Sequence, residues 1–199
     1  MKYPDVTLGR VEAVWNKLGG EGGVNRFLRG ELVILEPPKP KLLEFVGTIS
    51  VSAVKEFVAK KKFVINIGDN ALVKVSYLGD NFREQFLGKI EKSFPGSELR
   101  YQKLMKSSVD DSIINKLGGK AKAETTLAEV FSLMEKQGNG QSGALLTNGW
   151  WNIFYVRDIN GVLRTVLIYW SGVGWHVDAH SAEHRACWFA DYLVFSRNS

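Results

Sequence analysis

One cysteine among 199 residues leaves no material for a disulfide framework, so the thiols say nothing of a redox compartment. Proline is also scarce. Of the five prolines, three fall in the run Pro37-Pro38-Lys39-Pro40, which marks the clearest linker of the chain. No apolar run reaches the roughly 18 residues that a membrane-spanning helix needs. The opening MKYPDVTLGRVEAVW has neither an apolar core nor a small-residue cleavage site. Neither a secretory signal nor a transmembrane segment is therefore expected, which leaves the cytoplasm or a non-classical or virion-associated exit. Acidic residues are not in excess, and the net charge is +5. Residues 1–105 hold 17 Lys and Arg against 12 Asp and Glu, and the remaining residues hold nine of each. Any attraction to nucleic acid must come from the front half. Its basic residues are dispersed except for Lys60-Lys61-Lys62, which sit where a helix would end and there compensate its dipole. Nucleic acid is not the expected partner.

Residues 7–18 place Val11, Val14, Trp15 and Leu18 at the spacing of an amphipathic helix, stopped by Gly19-Gly20. A second short helix carries Val24, Phe27 and Leu28. This pair, residues 1–36, reads as a helical hairpin, with a helix-turn-helix as the alternative because of Arg10, Lys17, Arg26 and Arg29. Residues 31–35 fit a strand. Beyond the proline linker, the pattern predicts strand (42–51), helix (52–61), strand (63–67), strand (71–78), helix (81–92) and strand (99–105). Asn81 and Glu84 have capping-box spacing. Such an order is that of a ferredoxin-like sandwich, so residues 41–105 are expected to form an accessory α/β region. Fold order alone licenses no activity.

The back half predicts helices over 108–117 and 126–136, the second with a Thr126/Glu129 capping box and an apolar face of Leu127, Val130, Phe131 and Met134. Strands follow over 152–156, 162–170 and 193–196, with Asp158-Ile159-Asn160-Gly161 as a hairpin turn. Five of the six tryptophans lie between Trp150 and Trp188. Such density suits a small β-core or an aromatic binding surface.

All three histidines and the one cysteine fall within 12 residues: His176, His180, His184 and Cys187. On a strand His176, Asp178 and His180 share a face, and two imidazoles with a carboxylate are fair ligands for zinc or iron. A small metal-dependent enzyme using these three is one alternative reading, although their spacing matches no specific ligand motif. A thiol nucleophile is disfavoured, because catalytic partners come from distant parts of a chain rather than from one short segment.

A different reading rests on the frame between these residues. Trp175, Val177, Ala179, Ser181, Glu183 and Trp188, then Val194-Phe195-Ser196-Arg197-Asn198, interleaved with miscellaneous types, resembles the variable region of a diversity-generating retroelement protein. In that family adenines of a template repeat are altered, and asparagine codons are favoured targets. Adenine changes in such a codon can yield His, Asp, Ala, Phe, Tyr, Cys, Arg or Ser, but never Lys, Glu, Gln, Met or Trp. Ser171, His176, Asp178, His180, His184, Arg185, Ala186, Cys187, Phe189, Ala190, Asp191 and Tyr192 all pass that restriction. Glu183 and Trp188 fail it and would belong to the fixed frame.

The resemblance implies an α+β chain whose residues 106–199 form a C-type-lectin-like domain, an antiparallel sheet with flanking helices. Residues 169–199 would be its variable region. It implies a non-enzymatic protein without catalytic residues, cofactor or metal, recognising an unidentified macromolecular ligand, a protein being the expected class. The calcium-dependent sugar motif and disulfides of ordinary C-type lectins are absent from this sequence, so calcium-dependent sugar binding is not implied. A nucleic-acid-associated protein acting through residues 7–30 is the remaining alternative.

Overall fold

The run Ile153-Phe154-Tyr155-Val156 is apolar at every position rather than at alternate ones, the mark of a strand covered on both faces. It lies in the middle of a sheet, and the fold is arranged about it. A computed structural model of the chain describes residues 7–33, 35, 41–93, 95–181 and 187–197. The chain divides into two compact units, residues 1–39 and 40–199.

The first unit contains helices α1 (Leu8–Leu18) and α2 (Gly20–Leu28). Gly19 ends α1 in the left-handed region at φ 89°. A Cβ on Gly23 would fall 1.4 Å from the Leu18 carbonyl oxygen, so only glycine lets α2 start this tightly against the end of α1. No residue of either helix is buried. Residues 31–33 and 35 form no strand. Instead, Glu31 takes a hydrogen bond from Arg29 Nε at 2.7 Å and lies 3.6 Å from Arg26 Nε, which ties this segment to the end of α2. Ile34 and the proline linker lie outside the described residues.

The second unit is α+β. Its elements run β1 (Leu43–Val51), β2 (Phe57–Val58), α3 (Ala59–Lys62), β3 (Val75–Leu78), α4 (Asp80–Phe86), β4 (Ile90–Glu91), β5 (Ser97–Leu104) and β6 (Ser108–Val109). There follow α5 (Asp110–Leu117), α6 (Lys120–Ala123), β7 (Glu124–Thr125), α7 (Leu127–Lys136), β8 (Asn152–Arg157), β9 (Leu163–Trp170), β10 (Trp175–Ser181), β11 (Cys187–Trp188) and β12 (Leu193–Arg197). The main sheet has the order β1-β5-β12-β8-β9-β10-β3, with β7 also beside β8. β12 and β7 run parallel to β8, β3 runs parallel to β10, and the other neighbours are antiparallel.

This topology corrects the expected separation at residue 105. Strands β1 and β5 extend one end of the sheet, while β3 closes the other end beside β10. One buried cluster then draws on Val51, Phe82, Leu99, Val130, Phe154, Trp175 and Phe195 alike. Residues 41–105 therefore form no ferredoxin-like sandwich of their own. The helix expected over 52–61 is reduced to the single turn α3, because Phe57 and Val58 pair with β4. Residues 63–67 form no strand. Only Asn66 bridges Val75, and Phe63 is buried against Phe57, Phe82 and Phe131. The Asn81/Glu84 box does not form, since α4 begins at Asp80 behind Gly79.

Period-two side chains give the sheet two covered faces. On one, Phe154, Val156, Val166, Ile168, Trp175, Val177, Ala179 and Phe195 pack under α4 and α7. On the other, Ile153, Tyr155, Leu163, Leu167 and Val194 pack under Ile113 and Ile114 of α5, Ala123 of α6, Trp188 and Tyr192. None of residues 175–180 of β10 belongs to this second cluster. The outer face of β10 is left for other uses.

Helix α7 is held at its N-terminus as its sequence predicts. Glu129 N donates to Thr126 Oγ1 at 3.2 Å, and Thr126 N donates to Glu129 Oε2 at 2.6 Å. Glu91 of β4 accepts from Leu127 N and Ala128 N at 3.0 and 2.9 Å, so all four donors of this helix start are satisfied. Glu129 also accepts from Ser97 Oγ at 2.6 Å, tying β5 to the helix. Glu129→Ala is expected to cost about 2–4 kcal/mol, because it strands several part-buried donors at once. Urea unfolding of the variant checks this, and a loss under about 0.5 kcal/mol would contradict it.

Candidate functional site

Strand β10 divides its residues by parity. Trp175, Val177 and Ala179 are fully buried, while His176, Asp178 and His180 point to the opposite face and are half-buried. The register sets their company. His176 lies between Tyr77 of β3 and Tyr169 of β9, and His180 lies opposite Thr165. Four rings form a row across this face. Tyr77 and His176 have centroids 5.2 Å apart, His176 and Tyr169 4.6 Å, and Tyr169 and Trp151 4.4 Å.

The His176 Nδ1 lies 2.8 Å from the Tyr169 hydroxyl. Burial pushes the His176 pKa down, which favours the neutral ring, and the imidazole tautomer sets which of the two groups donates. Asp178 takes a hydrogen bond from Ala179 N at 2.7 Å, and its Oδ2 lies 3.7 Å from His180 Nε2. Gly79 gives Asp178 its room, because a Cβ there would stand 2.1 Å from Asp178 Oδ1.

The other predicted positions are distributed around this strand. Ser171 is exposed in the turn before β10, where its hydroxyl donates to the Gly174 carbonyl at 2.8 Å. Cys187 is exposed on β11 as a free thiol. Phe189 is 61% exposed, Ala190 half-buried and Asp191 exposed. Asp191 is the one described non-glycine residue in the left-handed region, at φ 73°, and it pairs with Lys103 at 2.6 Å. Tyr192 is the exception, since it is buried and packs against Trp150 and Phe189. His184, Arg185 and Ala186 lie outside the described residues, as do Glu183 and Asn198 of the expected frame.

The described frame residues are anchored from within. Trp175 donates its indole N–H to the Gln137 carbonyl at 3.1 Å. Trp188 is buried, and its indole N–H donates to Asp110 Oδ1 at 2.7 Å; the Tyr155 hydroxyl donates to the same oxygen at 2.8 Å. Burial pushes the Asp110 pKa up against the pull of these two hydrogen bonds. Thr165 sits close enough to favour the charged carboxylate, yet neither Asp110 Oδ2 nor Thr165 Oγ1 completes a hydrogen bond.

Comparison with known protein families, curated proteins and solved structures returns no match. The chemistry must be read from the site alone. Among the described residues no three His, Cys, Asp or Glu side chains converge as metal ligands. The trio His176, Asp178 and His180 shares a face without forming a metal cage, and one imidazole nitrogen is already engaged by Tyr169. In the helical hairpin, Glu31 lies beside both Arg26 and Arg29, which lowers the free positive charge a helix-turn-helix would use. No described helix is long and apolar enough to cross a membrane.

Sequence reasoning missed Tyr77, Tyr169, Trp150 and Trp151. The tryptophan density was the available signal, but Tyr77 is brought in by a parallel pairing across about a hundred residues that no local pattern encodes. Residues 147–151 lie between two hollows. One, of about 490 Å³, is lined by Thr147, Gly149, Tyr169 and Ser171. The other, of about 520 Å³, is lined by Tyr101, Lys103, Trp150 and Asp191. Asn148 borders both.

Proposed function

We propose that this chain is a non-enzymatic ligand-binding protein whose outer β10 face and neighbouring turns are a hypervariable surface, diversified by a retroelement and directed at a macromolecular ligand, a protein being the expected class. One observation carries the reading. Along residues 175–180 of β10 the residues assigned to the frame are buried and the residues assigned to the variable set face outward, in strict alternation. Substitution at the outward positions leaves the core untouched, which a diversified binder requires.

Three further features favour it. Trp188, which adenine changes cannot produce, is a buried anchor, whereas Cys187 and Phe189 on either side are exposed. Asp191 occupies a left-handed backbone position that suits the asparagine its codon would derive from. The aromatic row supplies large contact area at small entropy cost, as paratopes do. A C-type-lectin-like architecture is in keeping with the antiparallel β8–β9–β10 run, with α5 and α7 between β5 and β8, and with the return of β12 to a place between β5 and β8. The lectin-like domain would then take in all of residues 40–199, with β1 and β3 as additions to its sheet.

The flanking DNA tests this directly. A near-copy of the segment encoding about residues 169–199, differing mainly at adenines and lying beside a reverse-transcriptase gene, is expected. Complete flanking sequence without such a repeat would overturn the diversification.

A further inference from the structure

The helical hairpin has an apolar side but no core. Leu8, Val11, Trp15 and Leu18 follow one another at spacings of three, four and three along α1, the seam of a helix that packs against another helix. Val11, Val14, Trp15, Leu18, Val24, Phe27 and Leu28 line one open groove together with Arg10, and Leu8 lies one turn before it on α1. Yet Leu8 is 89% exposed and Leu28 74%, and nothing in either helix is buried. Two helices of this length cannot hold themselves together without burying that side, because an isolated helix so short is marginal in water. The close contact at Gly23 shows a hairpin of defined shape, so the side is presented as a surface.

We infer that a second copy of the same hairpin covers this groove, pairing two chains through a four-helix bundle. Size favours this occupant. Weighted by their exposure, the seven apolar groove side chains and the neighbouring Leu8 together offer roughly 700 Å² of surface, close to the ~800 Å² per partner of a stable protein interface. A two-fold pairing uses that one patch on both chains. Charge favours it too. Residues 7–31 carry four basic and three acidic side chains, so two copies meet without strong repulsion, and nothing selects a highly charged partner. The geometry is that of an antiparallel bundle built from two αα-hairpins, with the a/d seam of each α1 facing its counterpart. Pairing then brings two chains together, with two copies of any surface that residues 40–199 display.

Sedimentation equilibrium and light scattering of the full chain at tens of micromolar test the pairing. The expected result is twice the chain mass, and the Val14→Asp, Phe27→Asp double variant is expected to run at the single-chain mass. Neither substituted residue belongs to the buried clusters of residues 40–199. The variant should therefore keep the near-UV signal of the wild type, which separates loss of pairing from loss of folding. A wild-type chain at single mass overturns the inference, including the case in which the groove folds back on its own chain or waits for a different protein. A double mass that survives in the double variant overturns it as well, because the contact then lies elsewhere.

Discussion

Trp175→Ala is expected to cost about 3–5 kcal/mol of stability, while His176→Ala, one residue along, is expected to stay within about 0.5 kcal/mol of the parent. The contrast follows from parity on β10. Trp175 is fully buried between the sheet and α7, stacks edge-on to Trp170 with centroids 5.5 Å apart, and satisfies the Gln137 carbonyl. Its removal leaves a large cavity and takes from the Gln137 carbonyl one of its two hydrogen bonds, the other coming from Gly140 N at 2.9 Å. His176 is half-buried, and its one described hydrogen bond returns the Tyr169 hydroxyl to water when lost. Paired urea titrations measure both values at once. Equal losses at the two positions would mean that the outward face is part of the structural core, and the proposed division into frame and variable surface would fall with it.

Replacing Asp110 separates shape from charge. Asp110→Ala is expected to cost about 2–4 kcal/mol, since it leaves the Trp188 and Tyr155 donors without an acceptor in a buried place. Asp110→Asn keeps an acceptor oxygen for both and turns its amide toward Thr165, so it is expected to be neutral or stabilising at pH 7. The pH dependence gives the sign. The folded Asp110 carboxyl has a pKa above its ordinary value of 3.8, so between 3.8 and that raised value the native state binds more protons than the unfolded one. Stability from this group therefore grows as pH falls through the folded pKa, is complete below the unfolded pKa, and is absent at neutral pH. Wild type should gain on Asp110→Asn as pH falls from 7 toward 4. A difference between the two that stays constant over that range would show that the carboxyl is not desolvated as its burial implies. Because Asp110 holds Trp188, this pair also anchors the start of the turn that carries Phe189, Ala190 and Asp191.

The sequence by itself determined the elements whose signals are local. The hairpin helices, α5, α7 with its Thr126/Glu129 box, the β8–β9 hairpin and the last strand all lie within a residue or two of their expected limits. Each rests on contacts between residues a few positions apart, which periodicity and capping residues record. The alternation of types along residues 175–180 was legible for the same reason, because a strand sorts its neighbours by parity whatever it packs against.

Where tertiary contact had to decide, local pattern misled. Residues 52–67 carry apolar spacing that fits a helix and a strand. Burial of Phe57 and Phe63 in a shared aromatic cluster left only one helical turn there. Pairing of β1 with β5, and of β3 with β10, joined residues 41–105 to the following residues in one sheet, since strand partners are chosen by registers that span most of the chain. That same long-range pairing set Tyr77 beside His176 and Gly79 against Asp178. The types of side chain at the candidate surface were thus written in the sequence, but the wall they share was assembled by non-local strand pairing, whose specificity resides in the whole buried core rather than in any segment.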